Sequence, residues 1–257
     1  MNQMKSRKLD GYQIMDIAIK AGAIMLENGA ETYRVEDTIH HILKLYPHSE
    51  SSSFVVATGI IVTLYEKEKQ PLTVVKRIRR RNVNLNMIYK VNSLSRKLCA
   101  KEMTLDEAQQ QLRFLHFEKQ YGAILNAVGV FGVSSSFTVL VGGTLLDAVF
   151  TLFIGCFLAI LLAGLEATKI TKFFRTLLSA AMVTILARIF ADLFPINLHD
   201  DQMIIGSIMP LLPGMVFTNA IRDILYGDYT AGLARMTEAV LIAAAVALGV
   251  GIGIFIG

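Results

Sequence analysis

Between residues 120 and 165 the chain carries a single charged residue, Asp147. Continued as one α-helix, that run would reach roughly 69 Å, about twice the hydrocarbon thickness of a bilayer, so it must turn back on itself. Gly142-Gly143 offers the turn and divides the run into spans near 121–141 and 145–165. Three further apolar stretches follow: 173–194, which carries Arg175, Arg188 and Asp192; 203–221, uncharged but interrupted by Pro210 and Pro213; and 239–257. With 53% hydrophobic against 18% charged residues and a mean hydropathy of +0.50, the apolar excess is more than one water-soluble core hides. The composition implies a multi-pass membrane protein.

Charge is unevenly spread. Residues 1–119 hold 19 of the 25 Lys and Arg and 13 of the 21 acids, which leaves 6 basic and 8 acidic residues in the second half. Basic residues recur in alternate loops of that half: Lys169, Lys172 and Arg175 after the second span, Arg222 and Arg235 after the fourth, none in the turns between. Positively charged loops stay on the cytoplasmic side, so five spans are expected in the plasma membrane, with the N-terminus inside and the C-terminus outside. The basic start, Lys5, Arg7 and Lys8, is followed by Asp10, Asp16, Lys20 and Glu27 rather than by an apolar h-region, so no cleaved signal peptide is predicted. Cys99 and Cys156 stand far apart, which suggests neither a disulfide framework nor a thiolate metal site.

The first 119 residues read as a compact α+β domain. Ile14, Ile17, Ala18, Ala21, Ile24 and Met25 keep helical spacing up to Asn28-Gly29, and Val35, Ile39, Ile42 and Leu43 continue it in a second helix. Residues 54–65 are β-rich, and Lys67, Glu68, Lys69 and Gln70 separate them from 72–78, which predicts a hairpin. Helices are expected over 82–98 and 104–119, the second opened by the capping-box pattern Thr104-x-x-Glu107. The expected fold class is an α-helical membrane bundle of five transmembrane helices, 120–257, preceded by a small cytoplasmic α+β domain, 1–119.

Residues that carry chemistry are few. Pro210 and Pro213 each remove a backbone donor and Gly214 adds freedom, so the fourth span should break inside the membrane. Broken helices in transporters present helix ends to substrate, and a buried kink is the plainer alternative. A substrate path is therefore expected at Pro210, Pro213, Gly214 and Asn219, with Asp147, Arg188 and Asp192 as secondary candidates. Arg188 and Asp192 stand four apart and can pair along their helix, and Arg222 can pair with Asp228 or meet lipid phosphates. Ala245, Gly249, Gly253 and Gly257 form a small-residue stripe suited to close helix packing, and Ser134 to Ser136 can return hydroxyls to their own backbone. Lys76, Arg77, Arg79, Arg80 and Arg81 make a basic cluster, read as a solvated or headgroup-facing surface rather than a nucleic-acid site. His40 and His41 are adjacent and so diverge on a helix; with no His-Glu-x-x-His, Gly-x-Ser-x-Gly or Walker A pattern, no metal, cofactor or nucleotide is expected.

The segment Glu27-Asn28-Gly29-Ala30-Glu31-Thr32-Tyr33-Arg34-Val35-Glu36-Asp37 resembles the Gly-Ala-Glu-Thr-x-Arg-Val-Glu signature of the threonine/serine exporter (ThrE) family. Arg81-Asn82-Val83-Asn84-Leu85, Pro210-Leu211-Leu212-Pro213-Gly214, Asn219-Ala220-Ile221-Arg222-Asp223, Gly227-Asp228 and Gly232-Leu233-Ala234-Arg235 are similar to it as well. The likeness covers nearly the whole chain and is greatest to the YjjP-type component of the split, two-component form. It implies a subunit of a secondary transporter exporting small polar metabolites, threonine and serine foremost, with small dicarboxylates as the alternative. It also implies a hetero-complex with a small membrane protein resembling the exporter's second half, with a homo-oligomer as the other assembly. Glu31, Arg34, Glu36, Arg222 and Asp223 are expected to form a structural or gating ion-pair network. A membrane-anchored hydrolase using Thr32 beside Glu31, Arg34 and Glu36 is the competing reading; the chain is expected not to be an enzyme.

Overall fold

The computed structural model describes residues 10–66, 70–79, 81–117, 122–168, 170–194 and 197–256. These fall into two compact units, Met1–Glu118 with Met215–Met236, and Lys119–Gly214 with Thr237–Gly257.

In the first unit, α1 (Gly11–Glu27) is opened by Asp10, whose carboxylate accepts from the Tyr12 amide at 3.1 Å. Its apolar stripe, Ile14, Ile17, Ala18, Ala21, Ile24 and Met25, is wholly buried. The helix stops where Gly29 takes φ +89°, a left-handed conformation that a side chain would strain. α2 (Thr32–Leu43) follows and buries Val35, Ile39, Ile42 and Leu43 against α1. α3 (Leu85–Cys99) begins at Asn84, which accepts from the Met87 amide, and α4 (Leu105–Phe117) begins with the predicted capping box, Thr104 and Glu107 each accepting from the other.

One hairpin was expected between 54 and 78; the sheet is a three-stranded antiparallel meander, β1 (Ser49–Val56), β2 (Gly59–Glu66) and β3 (Leu72–Arg77). The extra turn is Ala57-Thr58, closed by the pair Val56↔Gly59. It lacks the Asn-Gly or Asp-Gly signature of tight hairpins, which is why the β-rich stretch reads as one strand. Val55, Ile60, Val62 and Leu64 face the helices. Lys67 to Lys69, Arg80 of the basic cluster, the basic residues Lys5, Arg7 and Lys8, and Lys119, to which the helix from 104 was expected to run, lie outside the described residues.

The second unit contains α5 (Ala123–Leu140), α6 (Leu145–Glu166) and α7 (Lys172–Leu193), then α8 (Asp200–Ile208) with a 3₁₀ turn at Met209–Leu211. α9 (Gly214–Leu225) carries the chain into the first unit, and α10 (Tyr229–Ile256) returns it. The Gly142-Gly143 turn joins α5 to α6 as expected, Gly143 donating to the Thr138 carbonyl at 2.9 Å. Four helices, α5, α6, α7 and α10, are long and apolar enough to cross a bilayer; the broken pair α8 and α9 makes up to five. Their outward faces are strongly apolar: Ile124 is 83% exposed, Leu145 80% and Phe255 91%. Such a surface suits lipid rather than water. The small-residue stripe is used inside the unit, since a Cβ on Gly249 or Gly253 would strike α7 at Leu177, Ala181 or Thr184. Gly257, the stripe's last member, lies outside the described residues, as do Tyr121, Lys169 and Pro195.

Candidate functional site

The turn between α1 and α2, residues 28–34, is clasped by α9 and the start of α10. Asn219 donates its amide to the Gly29 carbonyl at 2.8 Å, and Arg235 reaches the Ala30 carbonyl at 2.7 Å. Arg222 donates to Glu31 at 2.6 Å, while Arg34 approaches the other oxygen of the same carboxylate at 3.3 Å. Thr32 donates its amide to Asp223 at 3.1 Å, and its hydroxyl lies 2.9 Å from Asp223 and 2.7 Å from Asp228. Arg235 faces the remaining Asp223 oxygen at 3.2 Å, and Tyr33 stacks on Tyr226 with ring centroids 4.1 Å apart. A helical turn that begins with an exposed-type sequence is thereby sealed: Thr32 and Asp223 have no solvent exposure, and Glu31, Asn219 and Arg235 are 4% exposed each.

Local geometry explains the arrangement. Asn219, Arg222, Asp223 and Tyr226 fall at three- and four-residue spacing, so they share one face of α9, and Gly227 (φ +90°) turns the chain so that Asp228 and Arg235 join them. The Asp228 amide donates to the Asp223 carbonyl at 2.8 Å, which fixes the two acids together. Among the predicted network residues, Glu31, Arg34 and Arg222 meet in one ion-pair group, while Asp223 pairs with Arg235 and Asn219 bonds the Gly29 carbonyl of the same turn. Arg222 pairs with Glu31 rather than with Asp228. Glu36 stands on the same helix but accepts from the Val55 amide at 2.9 Å, tying α2 to the sheet. Burial pushes the Glu31 carboxyl up, but its own backbone amide, the Arg222 hydrogen bond and the Arg34 charge outweigh that and hold it below its ordinary 4.5. Glu36 goes the other way: burial raises it, the Val55 amide only partly offsets this, and the Asp228 charge adds to the rise.

The other predicted residues lie in the second unit and form no common cluster. Pro210 sits in the 3₁₀ turn, Pro213 occupies the break before α9, and Gly214 is the first residue of α9. Asp147 completes a capping box with Thr144 and also accepts from the amide and Nδ1 of His199, both at 2.9 Å. Arg188 donates to the Ile254 carbonyl at 2.6 Å, and no ion pair joins it to Asp192 among the described residues. Ser134 returns its hydroxyl to Val130, whereas Ser135 bonds across to Ala148 of α6. Sequence reasoning did not assign Thr32, Asp228, Arg235, Tyr33, Tyr226 or His199 to these contacts. Their partners stand far off in the chain, 191 residues away for Thr32 and Asp223, and no periodicity links such positions. Among the described residues no three His, Cys, Asp or Glu side chains are placed to hold a metal.

A relative from Mycobacterium tuberculosis (strain ATCC 25618 / H37Rv), named "Probable threonine/serine exporter", is 22% identical over 248 residues, which is 93% of this chain and 45% of that protein. The chain therefore spans less than half of that relative's length. A second, from Escherichia coli (strain K12) and named "Probable succinate transporter subunit YjjP", is 23% identical over 235 residues, 91% of each chain. No solved structure matches. The family model described as "Putative threonine/serine exporter" matches residues 16–257, which takes in both the clasped turn and the helices that clasp it. The chain belongs to the threonine/serine exporter (ThrE) family.

Proposed function

We propose that this chain is one subunit of a secondary transporter that exports small polar metabolites, threonine and serine foremost, across the plasma membrane. Family membership supports transport, and one observation carries the arrangement: the end of the broken helix α9 is tied to residues 29–34 of the N-terminal domain. That tie supports the five-span topology by parity. If α5, α6 and α7 each cross once, α9 can end on the side of the N-terminal domain only if the broken pair makes a fourth crossing. With basic residues at Lys172, Arg175, Arg222 and Arg235, that side is the cytoplasm, and α10 leads outward as the fifth span.

In this arrangement residues 1–119 form the cytoplasmic domain and 120–257 the membrane domain. The break at Pro210, Pro213 and Gly214 leads to Asn219, and the clasp of Glu31, Arg34, Arg222 and Asp223 closes the cytoplasmic mouth; Glu36 anchors that helix to the sheet. Arg188, Asp192 and Asp147 belong to the membrane part of the path. A carboxylate-bearing substrate is favoured by amide donors at the start of a half-helix, which suits amino acids and small dicarboxylates alike. The dicarboxylate reading has its own support in the E. coli relative, whose printed name is that of a succinate transporter subunit and which matches over 91% of both chains. The word subunit in that name also supports a hetero-complex with a second small membrane protein, in preference to a homo-oligomer. Transport is proposed in preference to hydrolysis, because Thr32 is buried between two carboxylates.

The test is flux of labelled threonine, serine and succinate from vesicles containing the chain with and without the partner. Threonine or serine efflux that needs both proteins is expected, and Pro213→Ala and Asn219→Leu should reduce it at least tenfold while insertion is unchanged. Succinate flux without amino-acid flux would select the second reading, and normal efflux in both variants would remove the break from the path.

A further inference from the structure

We propose that Asp223 and Asp228, bridged by the Thr32 hydroxyl, hold one proton between them while the clasp is closed and give it up to water when it opens. The inference rests on the reading of the clasp as a gate and names the ion to which that gate answers.

The Thr32 hydroxyl oxygen lies 2.9 Å from an oxygen of Asp223 and 2.7 Å from an oxygen of Asp228. A hydroxyl has one hydrogen to donate, and an ionised carboxylate has none. With both acids ionised, the two contacts share a single hydrogen, and neither is a full hydrogen bond. A proton on either acid supplies the missing hydrogen: the acid donates to Thr32, and Thr32 donates to the other carboxylate. Because the two acids are coupled through one hydroxyl, the proton belongs to the pair and not to either residue.

A count of charges leads to the same place. Four acids face the clasp, Glu31 and Glu36 from α2 and its start, Asp223 from α9 and Asp228 from the following turn. Among the described residues three cations engage it: Arg34 and Arg222 both pair with Glu31, and Arg235 pairs with Asp223. Among the described residues no cation forms an ion pair with Asp228 or Glu36. One negative charge is left over in a site where Thr32 and Asp223 have no solvent exposure, and one proton cancels it. Asp228 is half-buried, so the proton can exchange with solvent without unfolding of the unit. Opening withdraws the Thr32 bridge and admits water to both carboxylates, which removes the reason to hold the proton. Protonation therefore favours the closed clasp, and deprotonation favours release of α9.

The experiment is infrared spectroscopy of the full chain in detergent, titrated from mildly acidic to mildly alkaline pH, read together with the melting temperature. A carboxylic-acid band equivalent to one group per chain should disappear over that range in the wild type. It should be missing in Asp228→Asn and in Asp223→Asn, persist in Glu36→Gln, and titrate at lower pH in Thr32→Val. The wild-type melting temperature should fall across the range, and that of Asp228→Asn should fall by less. Should Asp223→Asn fail to fold, the Asp228→Asn and Thr32→Val spectra decide the matter alone. A band that survives in Asp228→Asn, or no titrating band in the wild type, would overturn the inference. The spectrum needs neither substrate nor partner, so its failure leaves the export reading standing, and failed flux leaves the spectrum interpretable.

Discussion

Glu31 and Glu36 sit five residues apart, and burial raises both carboxyls, yet their net shifts are opposite because their partners differ. Glu31 has its own backbone amide and two arginines, so its folded-state value lies below 4.5 and its ionised form stabilises the fold above that pH. That contribution is lost as pH falls through the lowered value. Glu36 has one amide donor and a nearby Asp228, so its ionised form costs stability once pH rises above its raised value. Glu31→Gln should therefore lower the melting temperature at neutral pH, with the gap closing below about pH 4.5, whereas Glu36→Gln should be neutral or stabilising at neutral pH and indistinguishable in acid. Melting curves across pH check both signs, and matching signs would show that the two carboxylates share one environment. Arg235→Ala removes the one cation paired to fully buried Asp223 and should cost about 3–5 kcal/mol. Of this cluster, Asn219 was singled out from sequence for its place after the proline break, and Glu31, Arg34, Arg222 and Asp223 for the segments that resemble the exporter family. Which of them touch was not legible, since Thr32 meets Asp223 across 191 residues and only the fold brings them together.

At the scale of elements, long apolar runs were the easiest to read. Bounds expected near 121–141, 145–165 and 173–194 correspond to α5, α6 and α7 within two residues among those described. Hydropathy is one-dimensional and strong there. It weakens at α10, which begins at Tyr229, ten residues before the expected 239, because Arg235 and Glu238 interrupt the apolar pattern without interrupting the helix. It also does not detect Ala57-Thr58, a turn made by residues with no turn signature. The small-residue stripe on α10 was legible as spacing, but its partner, α7, was not. Gly249→Val should force these two helices apart and cost about 1–3 kcal/mol, measured by thermal unfolding in detergent. Unchanged stability would mean that the α7 and α10 backbones are not in close contact at this level. Asp147→Asn keeps the side-chain shape but weakens both the capping box and the His199 link, so it should destabilise the start of α6 by about 0.5–2 kcal/mol.

For the whole molecule, two stretches nearly two hundred residues apart meet in one clasp, which the proposed topology puts on the cytoplasmic side. Reporter fusions at Gly143, Thr171, Asp200 and Gly227 should read outside, inside, outside and inside, with α10 ending outside. A cytoplasmic reading at Asp200 would overturn the five-span topology. The clasp itself is tested most directly by cross-linking in intact membranes. With Cys99 and Cys156 replaced by Ser, Tyr33→Cys and Tyr226→Cys put two thiols where stacked rings now lie 4.1 Å between centroids. A short thiol cross-linker or mild oxidation should join them within one chain, in good yield and only in the double variant. No intrachain product, in a chain shown to be inserted and labelled at both thiols, would contradict the tie between residues 29–34 and the end of the broken helix.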